Sequence, residues 1–416
     1  MTAQPTSPPV GLDYLLFDPT PFAFPRPVVP LLAPLQTRDL RWRPTRRPAW
    51  AANGRLYARA RYALFDAFRL SGVGPGGGLL APALHCRTML DPALALGAPV
   101  QLFALRPDLS PDMADVERQL RQASVPVKAV LMTHFFGLAQ DLAPLAALCR
   151  QWGAALVEDC AHALPLQSAQ VGLDPADQNG AAGQMGRTGQ WCVASPYKFF
   201  ACEDGGALWS GSGQALPDLP ALQRPGLRRQ WQQWRLLRAR ARVPAQPPRA
   251  ALDLGLSLPQ SNALASASRL QGVSPDFDLR STRLACSPLS RCIIDHTDIA
   301  GLLRRRRDNF SAWHQALQGS IDLQTPWTRL GPHDTPYAFP VLLNAQPASR
   351  FAALKRAGLP IWRWDSLAAS DCATSAAYRQ RLLQLPCHQA LTATQMAWMI
   401  DTLRQVVATP VQATSP

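Results

Sequence analysis

The chain has 416 residues, with 42 Lys and Arg against 28 Asp and Glu and a formal net charge of +14. That length points to two or three domains rather than one small core, and a 47 % hydrophobic content is enough to fill them. No run of about 18 apolar residues occurs, so no membrane span is expected, and the opening MTAQPTSPPVGLDY lacks the basic start and apolar stretch of a signal peptide.

The nine cysteines are scattered and odd in number, with no Cys-x-x-Cys pair. That usage fits reduced thiols in a cytoplasmic protein, and it offers neither a disulfide framework nor a metal site. Nearly all the positive charge is arginine. An arginine excess suits nucleic acid, an anionic membrane surface or a phosphorylated small molecule. No reader motif or continuous basic stripe is present, so no nucleic-acid partner is expected. The arginine bias of a GC-rich genome is the plainer source.

Residues 1–50 read as a proline-rich arm, basic through Arg38, Arg41, Arg43, Arg46 and Arg47. The arm either packs on its own domain or crosses a dimer interface to close a site; the sequence leaves both open. From Tyr57 to Leu70 the spacing of Ala63, Leu64, Ala67 and Phe68 predicts a helix, ended by Gly72 and the VGPGGG run. Leu79–Pro82 reads as a short buried strand. His85, Cys86 and Arg87 follow in a turn, then an apolar helix runs to about Gly97. Val100–Leu105 is a strand, and Ser110-Pro111 starts a helix to about Gln122, with the serine as N-cap. Lys128–Phe136 is a strongly apolar strand, Asp141–Gly153 a helix and Ala154–Asp159 the next strand.

This alternation predicts an α/β fold with a mostly parallel sheet covered on both faces. Ligands of such sheets bind beyond the carboxyl ends of the strands. His85, His134, Asp159 and His162 all fall at or just past predicted strand ends. One such histidine alone is more often a satisfied structural residue; four polar groups on one edge mark a candidate site. Further on, SPYKFFACEDGG sets Lys198 among aromatic residues. Burying an amine there is costly unless it is paired, neutral or covalently used. Lys198 is therefore a candidate for condensing with an aldehyde. Asp159 has a second reading as the N-cap of a helix starting at Cys160, and Ser195 as an ordinary turn serine.

Residues 221–243 form an arginine-rich helical insert, in which Leu227, Trp231, Trp234 and Leu237 share a face. A surface helix docked by its tryptophans is the plain expectation; a phosphate-binding wall or a membrane-surface helix are the alternatives. In DIAGLLRRRRDNFSAWHQAL, Leu302, Leu303, Phe310, Trp313 and Leu317 make an apolar face, and Arg304–Arg307 read as a solvated one. The remainder reads as strand YAFPVLL, helix SRFAALKRAG, strand LPIWRW and a closing helix from TATQMAWMIDTL. Arg363, between two tryptophans, is a candidate for a substrate carboxylate or phosphate, or a structural residue facing water. His388 reads as structural.

From about Gly54 to Leu403 the chain resembles the sugar-aminotransferase family DegT/DnrJ/EryC1/StrS. The segments RYALFDAF…GPGGGLLAPALHC, VLMTHFFGLAQDL, VEDCAHAL, SPYKFFACEDGGAL, RLACSPLSRCIID and LPCHQALTATQM carry the likeness, in the family's order. The resemblance implies a fold type I architecture: a three-layer large α/β domain over residues 51–295 and a smaller α+β domain over 296–416. It implies pyridoxal 5'-phosphate, a homodimer, and transfer of an amino group from a donor such as glutamate to a keto-sugar or related carbonyl compound. Lys198 then holds the cofactor and shuttles the proton, and Asp159 faces the ring nitrogen. His162 bonds the ring hydroxyl or the substrate, and Ser195 with the Arg61-Tyr62 turn meets the phosphate. His134 and Arg363 are candidates for the substrate.

Three departures stand out. His85 and Cys86 occupy the turn where the family stacks an aromatic ring on the cofactor. Ala60-Arg61-Tyr62 replaces a hydroxyl-bearing phosphate turn. A long insert, 165–188, separates Asp159 from Lys198. Dehydrating members carry histidine at the lysine position, so Lys198 argues against that reaction. A catalytically degenerate binding protein, or a pyridoxal-phosphate reaction on a non-sugar substrate, are the alternatives.

Overall fold

The computed structural model describes residues 11–17, 24–44, 48, 50, 53–165, 185–242, 264–364 and 366–409. Its strands are β1 (Gly11–Phe17), β2 (Arg55–Tyr57), β3 (Gly78–Pro82), β4 (Val100–Phe103), β5 (Val127–Thr133), β6 (Ala155–Cys160), β7 (Trp191–Ala194), β8 (Gly206–Trp209), β9 (Leu264–Gln271), β10 (Leu323–Gln324), β11 (Ala338–Leu343), β12 (Ser366–Ala368) and β13 (Leu382–Pro386).

A seven-stranded sheet in the order β2-β8-β7-β6-β5-β3-β4 forms the centre. β3 to β7 run parallel, and β8 and β2 close one edge through antiparallel pairings. Alternate residues of each strand feed two cores, as period-two geometry requires. Leu79, Ala129, Leu131 and Val157 pack under the helix Ala60–Leu70, against Ala63, Ala67 and Phe68. Leu80, Val130, Met132 and Leu156 face the helices Met113–Gln122 and Ala143–Trp152, against Val116, Leu120 and Leu145. The result is three layers, helix on sheet on helix. Gly206 opens β8 at a crowded point: a Cβ there would collide with the backbone of Arg59 and Ala60. Only glycine lets β8 lie this close to the start of that helix.

The carboxyl-terminal part has its own core. β10, β11 and β13 form an antiparallel sheet, packed by the helices Ile299–Leu317, Pro347–Arg356 and Ala393–Ala408 through Trp313, Phe339, Leu354 and Leu403. A third small sheet, β12-β1-β9, places β1 between two strands of its own chain. Tyr14 is fully buried there, with the Arg87 guanidinium 5.0 Å from its ring centre. That stretch of the arm therefore packs on its own chain. Arg46, Arg47, residues 166–184 of the insert and the proline-rich stretch 243–263 lie outside the described residues.

Several expectations need correction. The helix 113–122 is capped by the Asp112 carboxylate, which accepts from the N–H groups of Ala114 and Asp115, and not by Ser110. Asp159 caps no helix at Cys160, which is the last residue of β6. LPIWRW is no strand; it makes a single bridge, Trp362 to Gln384. The arginine-rich helix Leu227–Ala241 is not docked by its tryptophans: Trp231 is 56 % and Trp234 44 % exposed. It is held instead by buried Leu237, by Gln233 on the Asp204 carboxylate, and by an Arg240–Glu203 ion pair of 2.7 Å. Finally, Arg306 is not solvated but fully buried.

Candidate active site

Parallel pairing in register sets Thr133 beside Asp159, and Asp159 beside Val193, at the carboxyl edge of the sheet. Beyond that edge lies a pocket of about 560 Å³, including its open mouth, lined by Lys198, Asp159, His162, Ser195, Arg61 and Cys86. Six of the residues singled out in the sequence thus meet in one place. Arg59, Thr88, Met89, Thr133, Phe135, Tyr197 and Trp364 are also in its wall.

Lys198 ends a short 3-10 turn, Pro196–Lys198, immediately after β7. Arg306 fastens this turn from behind. Its guanidinium donates to the carbonyls of Lys198 (3.0 Å), Phe199 (3.4 Å), Pro336 (3.1 Å) and Tyr337 (3.4 Å), and to Gln389 Oε1 (3.0 Å). Gln389 Nε2 returns a bond to the Phe199 carbonyl at 2.9 Å. Burial lowers the Arg306 pKa to about 10, so it remains charged at neutral pH. Removing it strands four buried acceptors. Arg306→Met is expected to lose about 3 kcal/mol of unfolding free energy, read from the urea midpoint, with little rescue by lysine, which lacks the planar fork.

Asp159 is buried at the end of β6. One carboxylate oxygen accepts from Ala161 N–H at 2.7 Å and the other from the Thr133 hydroxyl at 3.4 Å. Burial pushes its pKa up; the Ala161 N–H and the Lys198 charge pull the other way without prevailing. A carboxylate so placed gains from a further positive charge. His162 stacks on Tyr337 (4.7 Å, 25°) and lies parallel to Trp364 (5.9 Å, 4°). Burial, then the Lys198 charge, hold it well below the usual histidine range, so it is neutral. Its Nδ1 is buried without a protein partner. Lys198 Nζ lies 5.3 Å from the Tyr337 ring centre.

The remaining candidates are placed elsewhere. His85 is turned into the core: its Nδ1 lies 3.0 Å from the Pro82 carbonyl, and Ala368 N–H donates to its Nε2 at 3.2 Å. Burial lowers its pKa to about 4. It therefore cannot stack on a ligand in the pocket, and Cys86 alone of that pair lines it. Tyr62 packs edge-on against Phe277 at 5.7 Å. His134 donates from Nε2 to Glu158 Oε1 (2.8 Å) and accepts Gln140 N–H at Nδ1 (3.0 Å), which leaves it nothing to offer a substrate. Arg363 lies over the Phe351 ring at 4.1 Å, away from the pocket.

Arg61 lines the pocket while bonding the Asp276 carbonyl, and Arg59 lies 5.0 Å from the Tyr197 ring centre. Among the described residues, His134, Glu158 and Cys160 sit close enough to hold a metal ion. The Glu158 carboxylate already accepts from Gly186, Thr188 and Gly189 N–H as well as His134. Burial works against its charge, but His134 and the backbone donors outweigh burial and lower its pKa. The trio fastens the segment that returns from the insert.

The pocket fits pyridoxal phosphate on its own chemistry. It offers one amine, one buried carboxylate that a cationic ring nitrogen would relieve, one unpartnered imidazole nitrogen, and two arginines with a serine for a dianion.

Residues 58–250, just under half of the chain, match the model of the DegT/DnrJ/EryC1/StrS aminotransferase family. The chain is 28 % identical over 144 residues to the L-glutamine:scyllo-inosose aminotransferase of Streptomyces griseus; the match spans 34 % of this chain and 31 % of that relative. Among solved structures, the aminotransferase TlmJ from Streptoalloteichus hindustanus superposes with a TM-score of 0.57 at 21 % identity, over 86 % of both chains. The ntda protein of Bacillus subtilis, solved with bound cofactor PMP, gives a TM-score of 0.55 at 12 % identity, over 88 % of this chain and 79 % of that one. The fold is therefore that of these fold type I enzymes. No helix among the described residues is long and apolar enough to cross a membrane.

Proposed function

From the match of residues 58–250 to the DegT/DnrJ/EryC1/StrS aminotransferase model, we propose that the chain is a member of that family and a pyridoxal-phosphate-dependent aminotransferase. Its acceptor is a keto-sugar, free or nucleotide-linked, or a related ketone, and its donor an amino acid such as glutamate. The observation that carries this reading is the presence of Lys198 and Asp159 in one pocket beyond the sheet's carboxyl edge.

When bound, the cofactor supplies a ring that accepts electron density from the reacting carbon. Lys198 would anchor it, and its Nζ would take and return the proton at that carbon. Asp159 would hold positive charge at the ring nitrogen. His162 Nδ1 is free to bond the ring hydroxyl, and Ser195, Arg61 and Arg59 would take the phosphate. Phe135 and Trp364 give the pocket an apolar wall.

The same reading carries a homodimer, a cytoplasmic location, and a division near residue 295 between a cofactor-binding and a smaller domain. The altered phosphate turn, where Arg61 is tied to the Asp276 carbonyl, favours one second reading: a binding protein on this fold without turnover.

The test is direct. Purified protein loaded with pyridoxal phosphate is given glutamate or glutamine, then a keto-sugar, a nucleotide-linked keto-sugar and a plain cyclic ketone, and the amine is measured. Aminated sugar product supports the reading. Amination of the plain ketone only would remove the sugar; a bound cofactor with no product from any pair would leave the binding protein.

A further inference from the structure

The helix Leu227–Ala241 buries only one side, through Leu237 and Gln233. Its outer side is not what water alone would select. Leu227, Trp231, Trp234 and Arg238 recur at i, i+4, i+7 and i+11 and so share one strip, with Arg228 and Arg235 in the row beside it. All six are exposed. Among the described residues, eight large hydrophobic side chains are exposed, and Leu227, Trp231, Trp234 and Leu236 of this one helix are four of them. An exposed apolar residue standing singly is ordinary; three on one strip make a patch, and such a patch marks an interaction surface.

Charge specifies the partner. Between Asp218 and Asp253 the chain carries eight arginines and no acidic residue, so the partner is anionic. A second copy docking this face on itself would set arginine against arginine. Single-stranded nucleic acid stacks its bases on ring faces, but Arg235 already lies over Trp231 at 4.8 Å and Arg238 over Trp234 at 4.7 Å from the ring centres. An acidic peptide would match the arginines and leave the leucine and indole edges in water. An anionic lipid surface answers both needs. Its phosphates meet the guanidinium groups, and the boundary between headgroup and acyl chain is where tryptophan settles.

We propose that the outer face of Leu227–Ala241 docks the protein on an anionic lipid bilayer. Trp231, Trp234 and Leu227 sit at the headgroup boundary, and Arg228, Arg235 and Arg238 sit on the phosphates. The helix lies on the bilayer without spanning it. The docking does not rest on the chemistry of the Lys198 pocket.

The full chain is sedimented with vesicles of phosphatidylcholine alone and of phosphatidylcholine with phosphatidylserine. Binding is expected to the mixed vesicles only, and to fall as salt rises from about 0.1 to about 0.5 M. Arg228→Gln/Arg235→Gln and Trp231→Ala/Trp234→Ala are each expected to weaken it by about tenfold or more, with melting temperatures near wild type. Arg118→Gln/Arg121→Gln removes the same charge from the exposed side of another helix and should bind as wild type does. Four results would overturn the docking face. One is no binding to the mixed vesicles, and another an equal loss in the Arg118/Arg121 variant. A third is tighter binding of an oligothymidylate or of polyglutamate than of vesicles. The last is a fall in solution mass, by light scattering, in the tryptophan variant, which would assign the face to a second copy of the chain.

Discussion

Lys198→Ala is expected to lower transamination by about 10⁴-fold or more, and to abolish the visible absorption of the loaded protein. No second amine stands ready to replace it, because Lys198 is the one lysine that lines the pocket. Its turn is held by Arg306 and Gln389 through backbone carbonyls, not through the amine. The substitution should therefore leave the fold intact, and far-ultraviolet dichroism and melting temperature should stay near wild type. Activity retained within about tenfold would remove Lys198 from the chemistry.

Asp159→Asn is expected to cost about 10³-fold in turnover, since the amide cannot hold positive charge at a ring nitrogen. Stability should move the other way. The folded-state pKa of Asp159 is raised above 3.8, chiefly by burial. A raised carboxyl pKa means that the ionised form destabilises the fold. That penalty is absent below the unfolded value, sets in as pH rises past 3.8, and is complete above the folded value. The cofactor-free asparagine variant should therefore melt above wild type at pH near 7, with the gap closing toward pH about 4. Adding pyridoxal phosphate should stabilise wild type more than the variant. A variant that melts lower at neutral pH would contradict this placement of charge.

Much of this arrangement was legible in the sequence, for physical reasons. β5 beyond Lys128 and all of β6 are buried on both faces, so AVLM and ALV read as continuous apolar runs. Asp159 interrupts such a run at its end, and Lys198 sits in an aromatic one; both are costly placements, and costly placements are informative. What could not be read was direction. His85 and His134 fall just past strand ends as expected, yet local turns send both rings into the core, where Pro82 and Glu158 satisfy them.

Arg306 was hidden by its neighbours. A run of four arginines reads as a solvated face, but positions 302, 306, 310, 313 and 317 follow helical spacing. That spacing sets Arg306 on the stripe of Leu302, Phe310, Trp313 and Leu317. The signal was present in the period and outweighed by the charge. LPIWRW failed for the opposite reason. Its alternation has the strand period, but only Trp362 finds a bridge partner, and β13 already has β11 on its paired edge. Gln384 and Gln389 carry no sequence signal, because a buried glutamine differs from an exposed one only through tertiary contacts.

The central claim is that Lys198 carries the cofactor. The full chain is loaded with pyridoxal phosphate, reduced with borohydride to fix any imine as a stable secondary amine, digested, and mapped by mass spectrometry. The expected result is one phosphopyridoxyl adduct, on Lys198, that is absent from Lys198→Ala. An unmodified protein, or an adduct on Lys128 or Lys355 instead, would contradict the account.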